Sequence, residues 1–101
     1  MKLWIDDVRP APDGYIWAKS TNAAIGVLEL EEELGIPGSI EIIDIDHDAG
    51  EFAYDGGDYI KVLDFMEEAG RSYPIRIHSM NPVGVERMRA IIERNGWTEV
   101  R

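Results

Sequence analysis

A chain of 101 residues, 45% of them hydrophobic and 9% aromatic, has the length of one domain and enough apolar material for a core, which excludes a disordered chain. Ten basic against twenty acidic residues leave a formal net charge of −10, so binding to duplex nucleic acid or to a membrane surface is not expected. With no cysteine, a thiol nucleophile, a Cys-ligated zinc and an iron–sulfur cluster are all excluded.

The chain opens Met1-Lys2-Leu3-Trp4-Ile5-Asp6-Asp7, which puts two carboxylates where a signal peptide needs its apolar stretch. No run reaches the ~18 apolar residues of a membrane span, so a cytoplasmic location is the expectation. A small anionic ligand is still compatible with so acidic a chain if a metal ion, a helix N-terminus or an arginine supplies local positive charge. The same acidity also serves plain solubility.

In chain order, residues 3–7 read as a short buried strand ending in Asp6-Asp7. The turn Pro10-Ala11-Pro12-Asp13-Gly14 leads to an aromatic-rich strand over residues 15–19. A helix over 21–34 follows, capped by Ser20 or Thr21, striped by Ala24, Val27, Leu28 and Leu34, and stopped by Gly35. Residues 40–46 form the next strand, ending at Asp46-His47-Asp48. Residues 50–57, rich in glycine, are either a loop able to close over a ligand or a plain connector. A second helix begins at Asp58 as its cap and carries Tyr59, Val62, Leu63, Met66 and Ala69 to Gly70. Residues 74–79 are a third buried strand ending at His78-Ser79. Asn81-Pro82 then open a third helix with an N-cap and a proline at the first helical position, and Asn95-Gly96 end it. Residues 97–100 form a possible last strand.

Strand–helix alternation with right-handed crossovers that all move one way puts the three helices on one face of a mostly parallel sheet of four to five strands. Side-chain parity assigns Leu3, Ile5, Ile40, Ile42, Ile75 and Ile77 to the helix face. Lys2, Trp4, Glu41, Ile43, Ile45 and Arg76 then fall on the opposite face. The link from Asp7 to Tyr15 is too short for a helix, but about eight extended residues cover roughly 26 Å, enough to start a parallel neighbour. The open face, with Trp4, Ile43, Ile45, Tyr15 and Trp17 outward, is expected to draw a second copy into a homodimer, although Lys2, Glu41 and Arg76 on it would help keep a monomer soluble.

This order of elements resembles the receiver domain of response regulators, a flavodoxin-like α/β fold, with the first receiver helix missing. The resemblance puts Asp6-Asp7 at the metal-binding acidic pair, Asp46 at the phospho-accepting aspartate and Ser79 at the residue that contacts the phosphoryl group. The receiver lysine that ends the fifth strand has no counterpart. Ile5-Asp6-Asp7-Val8-Arg9-Pro10, Asp46-His47-Asp48-Ala49-Gly50 and Ile77-His78-Ser79-Met80-Asn81-Pro82 resemble, more narrowly, the signatures of the cyclic-phosphate-processing receiver-like family. That resemblance implies a phosphoesterase working through its added histidines.

The residues carry chemistry without that likeness. In open α/β sheets ligands bind outside the carboxyl ends of the strands, where Asp6, Asp7, Asp46, His47, Asp48, His78 and Ser79 all fall. Carboxylates from two strands, Asp6, Asp7 and Asp46, suit a hard cation such as Mg²⁺, and they equally suit capped turns. His47 and His78, with Asp46 and Asp48, are candidate catalytic groups, since opening a cyclic phosphate needs a base for water and an acid for the leaving oxygen. Each is also a reasonable structural histidine. Arg9, Ser79 and Asn81 are candidate phosphate contacts at the start of the third helix, which is otherwise simply a well-capped helix. Three functions stay open: a phosphoesterase acting on a small cyclic phosphate or a cyclic-phosphate end, a receiver-like signalling module phosphorylated on Asp46, and a non-catalytic nucleotide- or protein-binding domain.

Overall fold

The computed structural model describes residues 1–35 and 38–101. Strands β1 (Lys2–Ile5), β2 (Tyr15–Ala18), β3 (Ile42–Ile45) and β4 (Ile75–Ile77) form one sheet in the order β2-β1-β3-β4, parallel throughout. Helices α1 (Thr21–Leu34), α2 (Ile60–Ala69) and α3 (Pro82–Asn95) follow β2, β3 and β4. The four parallel strands and three helices make the receiver-like α/β fold, and no helix stands between β1 and β2. The expected last strand is reduced to a single parallel bridge, Glu99 beside Ile75.

The caps explain where the helices begin and end. Ser20 Oγ accepts the Ala23 N–H and starts α1, while Asn81 Oδ1 accepts the Gly84 N–H and starts α3 with Pro82 behind it. Glycines 35, 70 and 96 close the three helices in the left-handed conformation. The expected cap of α2 differs. Asp58 gives its carboxylate to the Ala49 N–H at 3.1 Å and α2 starts at Ile60, so Asp58 closes the loop before the helix instead of capping it.

Register settles the two faces of the sheet. Leu3 pairs with Ile43 and Ile43 with Ile75, while Ile5 pairs with Ile45 and Ile45 with Ile77. These six residues therefore share a face. Five of them are fully buried under Leu28, Leu63, Met66, Met88 and Ile92 of the helices, and Ile77 packs at the margin. This corrects the sequence parity on one strand: Ile43 and Ile45 belong to the core, and Ile42 and Asp44 belong to the opposite face. The outward set is Lys2, Trp4, Tyr15, Trp17, Ile42, Asp44 and Arg76, so the expected dimer surface loses both of its inner isoleucines.

Main chain crosses that second face. Trp4 Nε1–H donates to the Arg9 carbonyl and Trp17 Nε1–H to the Asp6 carbonyl, each at 2.8 Å. Two indoles thus fasten residues 6–9, in a connection that holds no helix. Among the described residues, no helix is long and apolar enough to cross a membrane.

Candidate functional site

The carboxyl ends of β1, β3 and β4 meet at one rim, where the strand alternation continues for a residue or two beyond each strand. Asp6, Asp44, Asp46 and His78 follow the open face, and His47 follows the helix face. The acidic and imidazole groups are therefore divided between two sides of the rim.

On the open side His78 is bonded at both ring nitrogens. Its Nδ1 meets Asp44 Oδ1 at 2.6 Å and its Nε2 meets Asp6 Oδ2 at 2.9 Å. The ring stacks on Trp4 with centroids 3.9 Å apart and planes 6° from parallel. Burial alone would lower the His78 pKa, but the hydrogen bonds and charges of Asp44 and Asp6 outweigh it and raise it above the ordinary value. An imidazolium that donates from both nitrogens to carboxylates and faces an indole is the consistent species. Asp6 is sealed from solvent and its Oδ1 accepts the Val8 and Arg9 N–H groups at 2.9 Å. Burial raises the Asp6 pKa, while those amides and His78 lower it further, so the carboxylate is held ionised.

Asp44 escaped the sequence analysis. It sits in the middle of β3 and is 2% exposed, which is costly for a carboxylate without a partner. His78 is that partner, and Arg76 lies 4.0 Å from its second oxygen. The signal for Asp44 in the sequence is an i, i+2 pair with Asp46 at the end of β3.

Beside Asp6 lie Asp7 and Asp46, and each of the three offers a carboxylate oxygen within 4.8 Å of the others. Burial raises the Asp7 pKa, and the neighbouring charges of Asp6 and Asp46 raise it further. The donor set is all oxygen and strongly negative, which fits a hard cation such as Mg²⁺. Asp6 has most of its lone pairs committed to amides and His78, so Asp7 and Asp46 are the freer ligands. Asp46 Oδ1 accepts the His47 N–H at 2.7 Å. Gly50 makes room for Asp7, since a Cβ there would stand 2.3 Å from Asp7 Oδ2.

On the helix side His47 Nδ1 meets Asp48 Oδ1 at 2.8 Å, and its ring lies against Gly84 in the first turn of α3. Among the described residues its Nε2 makes no hydrogen bond. The bond from His47 lowers the Asp48 pKa, with help from Asn81. Both ends of the Asn81 amide are engaged, Oδ1 with the Gly84 N–H and Nδ2 with Asp48, so Asn81 braces the dyad. Ser79 Oγ accepts the Asn81 N–H at 3.1 Å. Arg9 reaches the His78 carbonyl with one terminal nitrogen at 2.9 Å and remains exposed.

The two histidines thus reach the same rim, as expected, but the imidazoles point to different partners on different sides and share no hydrogen bond. The glycine-rich segment starts beside Asp7. It forms a short 3₁₀ turn, Gly50–Tyr54, and Asp55 ties it to Ser20 Oγ and Asn22 Nδ2 at 2.7 and 3.0 Å.

A one-sided helical layer on a parallel sheet, with an acidic cluster at the carboxyl ends of β1 and β3, defines a receiver-like domain. The family model of the cyclic-phosphate processing Receiver domain matches residues 1–94, and the chain belongs to that family. No curated protein and no solved structure matches it.

Proposed function

We propose that this domain is a phosphoesterase that opens a small cyclic phosphate, or a cyclic-phosphate end, by hydrolysis at the rim of its sheet. The observation that carries the reading is the Asp48–His47 dyad: Nδ1 is held by a carboxylate at 2.8 Å and Nε2 is left for a reacting group. A carboxylate on one nitrogen fixes the tautomer and ring orientation that let the other nitrogen exchange a proton. His47 Nε2 takes a proton from water as its oxygen attacks phosphorus. One ring P–O bond breaks, and the same nitrogen returns the proton to the leaving oxygen, giving a phosphomonoester.

Asp6, Asp7 and Asp46 would hold Mg²⁺, which when bound supplies positive charge for the phosphate in an otherwise anionic rim. Arg9 and the Ser79 hydroxyl are the protein groups placed to contact phosphate oxygens. His78 takes a role other than the one its residue type suggests: with both nitrogens engaged it is a fixed cation that orients Asp6. The family's name, cyclic-phosphate processing, supports the substrate class.

The test is incubation with a panel of cyclic mononucleotides and oligonucleotides ending in a cyclic phosphate, with and without millimolar Mg²⁺. Conversion to a phosphomonoester that is lost in His47→Ala is the expected result. Absence of conversion across the panel in both conditions would overturn the reading.

A further inference from the structure

We propose that Gly84 is a positioning residue for His47, selected because it has no side chain. Glycine inside a helix costs stability relative to alanine, a cost that a close contact at its Cα can explain. A left-handed turn is not the cause, since the positive-φ glycines do not include Gly84, and it lies in the first turn of α3. The cause is the ring against it. A Cβ on Gly84 would stand 2.4 Å from His47 Cγ, 2.6 Å from Cδ2 and 2.8 Å from Nδ1, all below the 3.0 Å that real Cβ atoms keep. Gly26, inside α1, is the contrasting case: a Cβ there would meet nothing within 4 Å.

The contact belongs to a closed circuit. Gly84 donates its N–H to Asn81 Oδ1 at 3.1 Å, Asn81 Nδ2 donates to Asp48 at 3.2 Å, and Asp48 Oδ1 meets His47 Nδ1 at 2.8 Å. The imidazole then returns to the bare Cα face of Gly84. One residue therefore anchors the helix start through its amide and sets the depth of the imidazole through its missing methyl. With any side chain at position 84, the ring must move outward, away from Asp48 or away from the helix. Its Nε2, the nitrogen with no partner among the described residues, moves with it. The catalytic meaning of that displacement rests on the phosphoesterase reading, but the positioning itself does not.

The test is a double-mutant cycle of Gly84→Ala with His47→Ala, read first by melting temperature. Gly84→Ala should lower the melting temperature when His47 is present and raise it in the His47→Ala background, where the ring is gone and only helix propensity is left. Gly26→Ala serves as the control and should raise it in both. The second readout is the side-chain ¹⁵N–¹H spectrum of the histidines at a single pH. With only two histidines in the chain, His78 is an internal reference. Gly84→Ala should shift the His47 ring nitrogens and leave those of His78 in place. The third is kinetic: kcat on a cyclic phosphate should fall about tenfold or more with KM little changed, as expected for a displaced reacting group.

A Gly84→Ala variant that is stabilised in both backgrounds, or that unfolds in both, would overturn the proposal. So would unmoved His47 resonances. Sign reversal with shifted His47 resonances, in a protein that turns over no cyclic phosphate, would uphold the positioning and refute the catalytic reading of His47.

Discussion

His78 and His47 leave the ends of neighbouring parallel strands and are almost equally buried, yet their partners differ. His78 lies between two buried carboxylates with its face on Trp4, and both nitrogens are bonded. His47 has one bonded carboxylate, 60% exposed, and one nitrogen with no hydrogen-bond partner among the described residues. Strand alternation alone separates them, because one side chain follows the open face and the other follows the helix face. Residue type and position at the rim therefore do not fix a histidine's chemistry. His78 has both ring nitrogens bonded, and His47 has one bonded, to Asp48.

The sharpest way to break this comparison is to remove each ring and measure stability. His78→Ala would leave Asp6 and Asp44 buried without their shared cation, and breaking a buried pair in that way costs roughly 3–5 kcal/mol. Urea unfolding at neutral pH checks it, and a loss below about 1 kcal/mol would show that water already reaches those carboxylates. His47→Ala should stay under about 1 kcal/mol in the same experiment, because the exposed Asp48 regains water.

Activity should show the reverse order. On a cyclic phosphate His47→Ala should lower kcat by about 10²-fold or more, while Asp48→Asn should lower it less by loosening the ring. Equal losses in His47→Ala and in a folded His78→Gln would mean that both imidazoles touch the substrate, and the division of roles would fall.

The carboxylate cluster makes a smaller contribution. At about ten times its Kd, Mg²⁺ binding only the native state adds about 1.4 kcal/mol, visible as a higher melting temperature. Asp7→Asn and Asp46→Asn should each remove most of that gain. An unchanged melting temperature at millimolar Mg²⁺ would argue that the three acids hold no cation.

The pH dependence is the finest of these effects, and its sign follows from His78. Its folded-state pKa lies above the ordinary 6.5 because Asp44 and Asp6 outweigh burial. Below the unfolded pKa both states carry the proton and the stabilisation is complete. As pH rises from about 6.5 through the folded value, the contribution is lost, so stability should decline over that window. His78→Gln should flatten the slope.

Much of this arrangement was legible in the chain. The caps, Ser20 or Thr21 before α1 and Asn81 before α3, and the stop glycines follow from local chemistry, the parallel second strand from the length of its link, and the gathering of Asp6, Asp7, Asp46, His47 and His78 at one rim from the strand ends. The faces of β3 were not legible from Ile40 and Ile42. Ile40 lies just outside the strand and is buried anyway, and the polar Glu41 precedes it too, so the ends of the run give no reliable parity. The middle of the strand does, because Asp44 between Ile43 and Ile45 has to leave the core. That decision also carries Asp44 to His78, a contact spanning 34 residues that no local pattern announces.

The cover fastened by Trp4 and Trp17 has a further consequence, in how its backbone amides exchange with solvent. A helix in that place would protect its N–H groups with its own ladder. Here the Val8 and Arg9 amides are protected by a single acceptor, Asp6 Oδ1, whose other oxygen faces His78. Their exchange is therefore expected to follow the aspartate–imidazolium contact and not local helix opening. In His78→Ala these two amides should exchange many times faster than in the parent, while the β1 amides, held by strands on both sides, keep closer to their original rates. Two amide protons in a stretch without regular secondary structure thus become a clock for an ion pair at the sheet's rim.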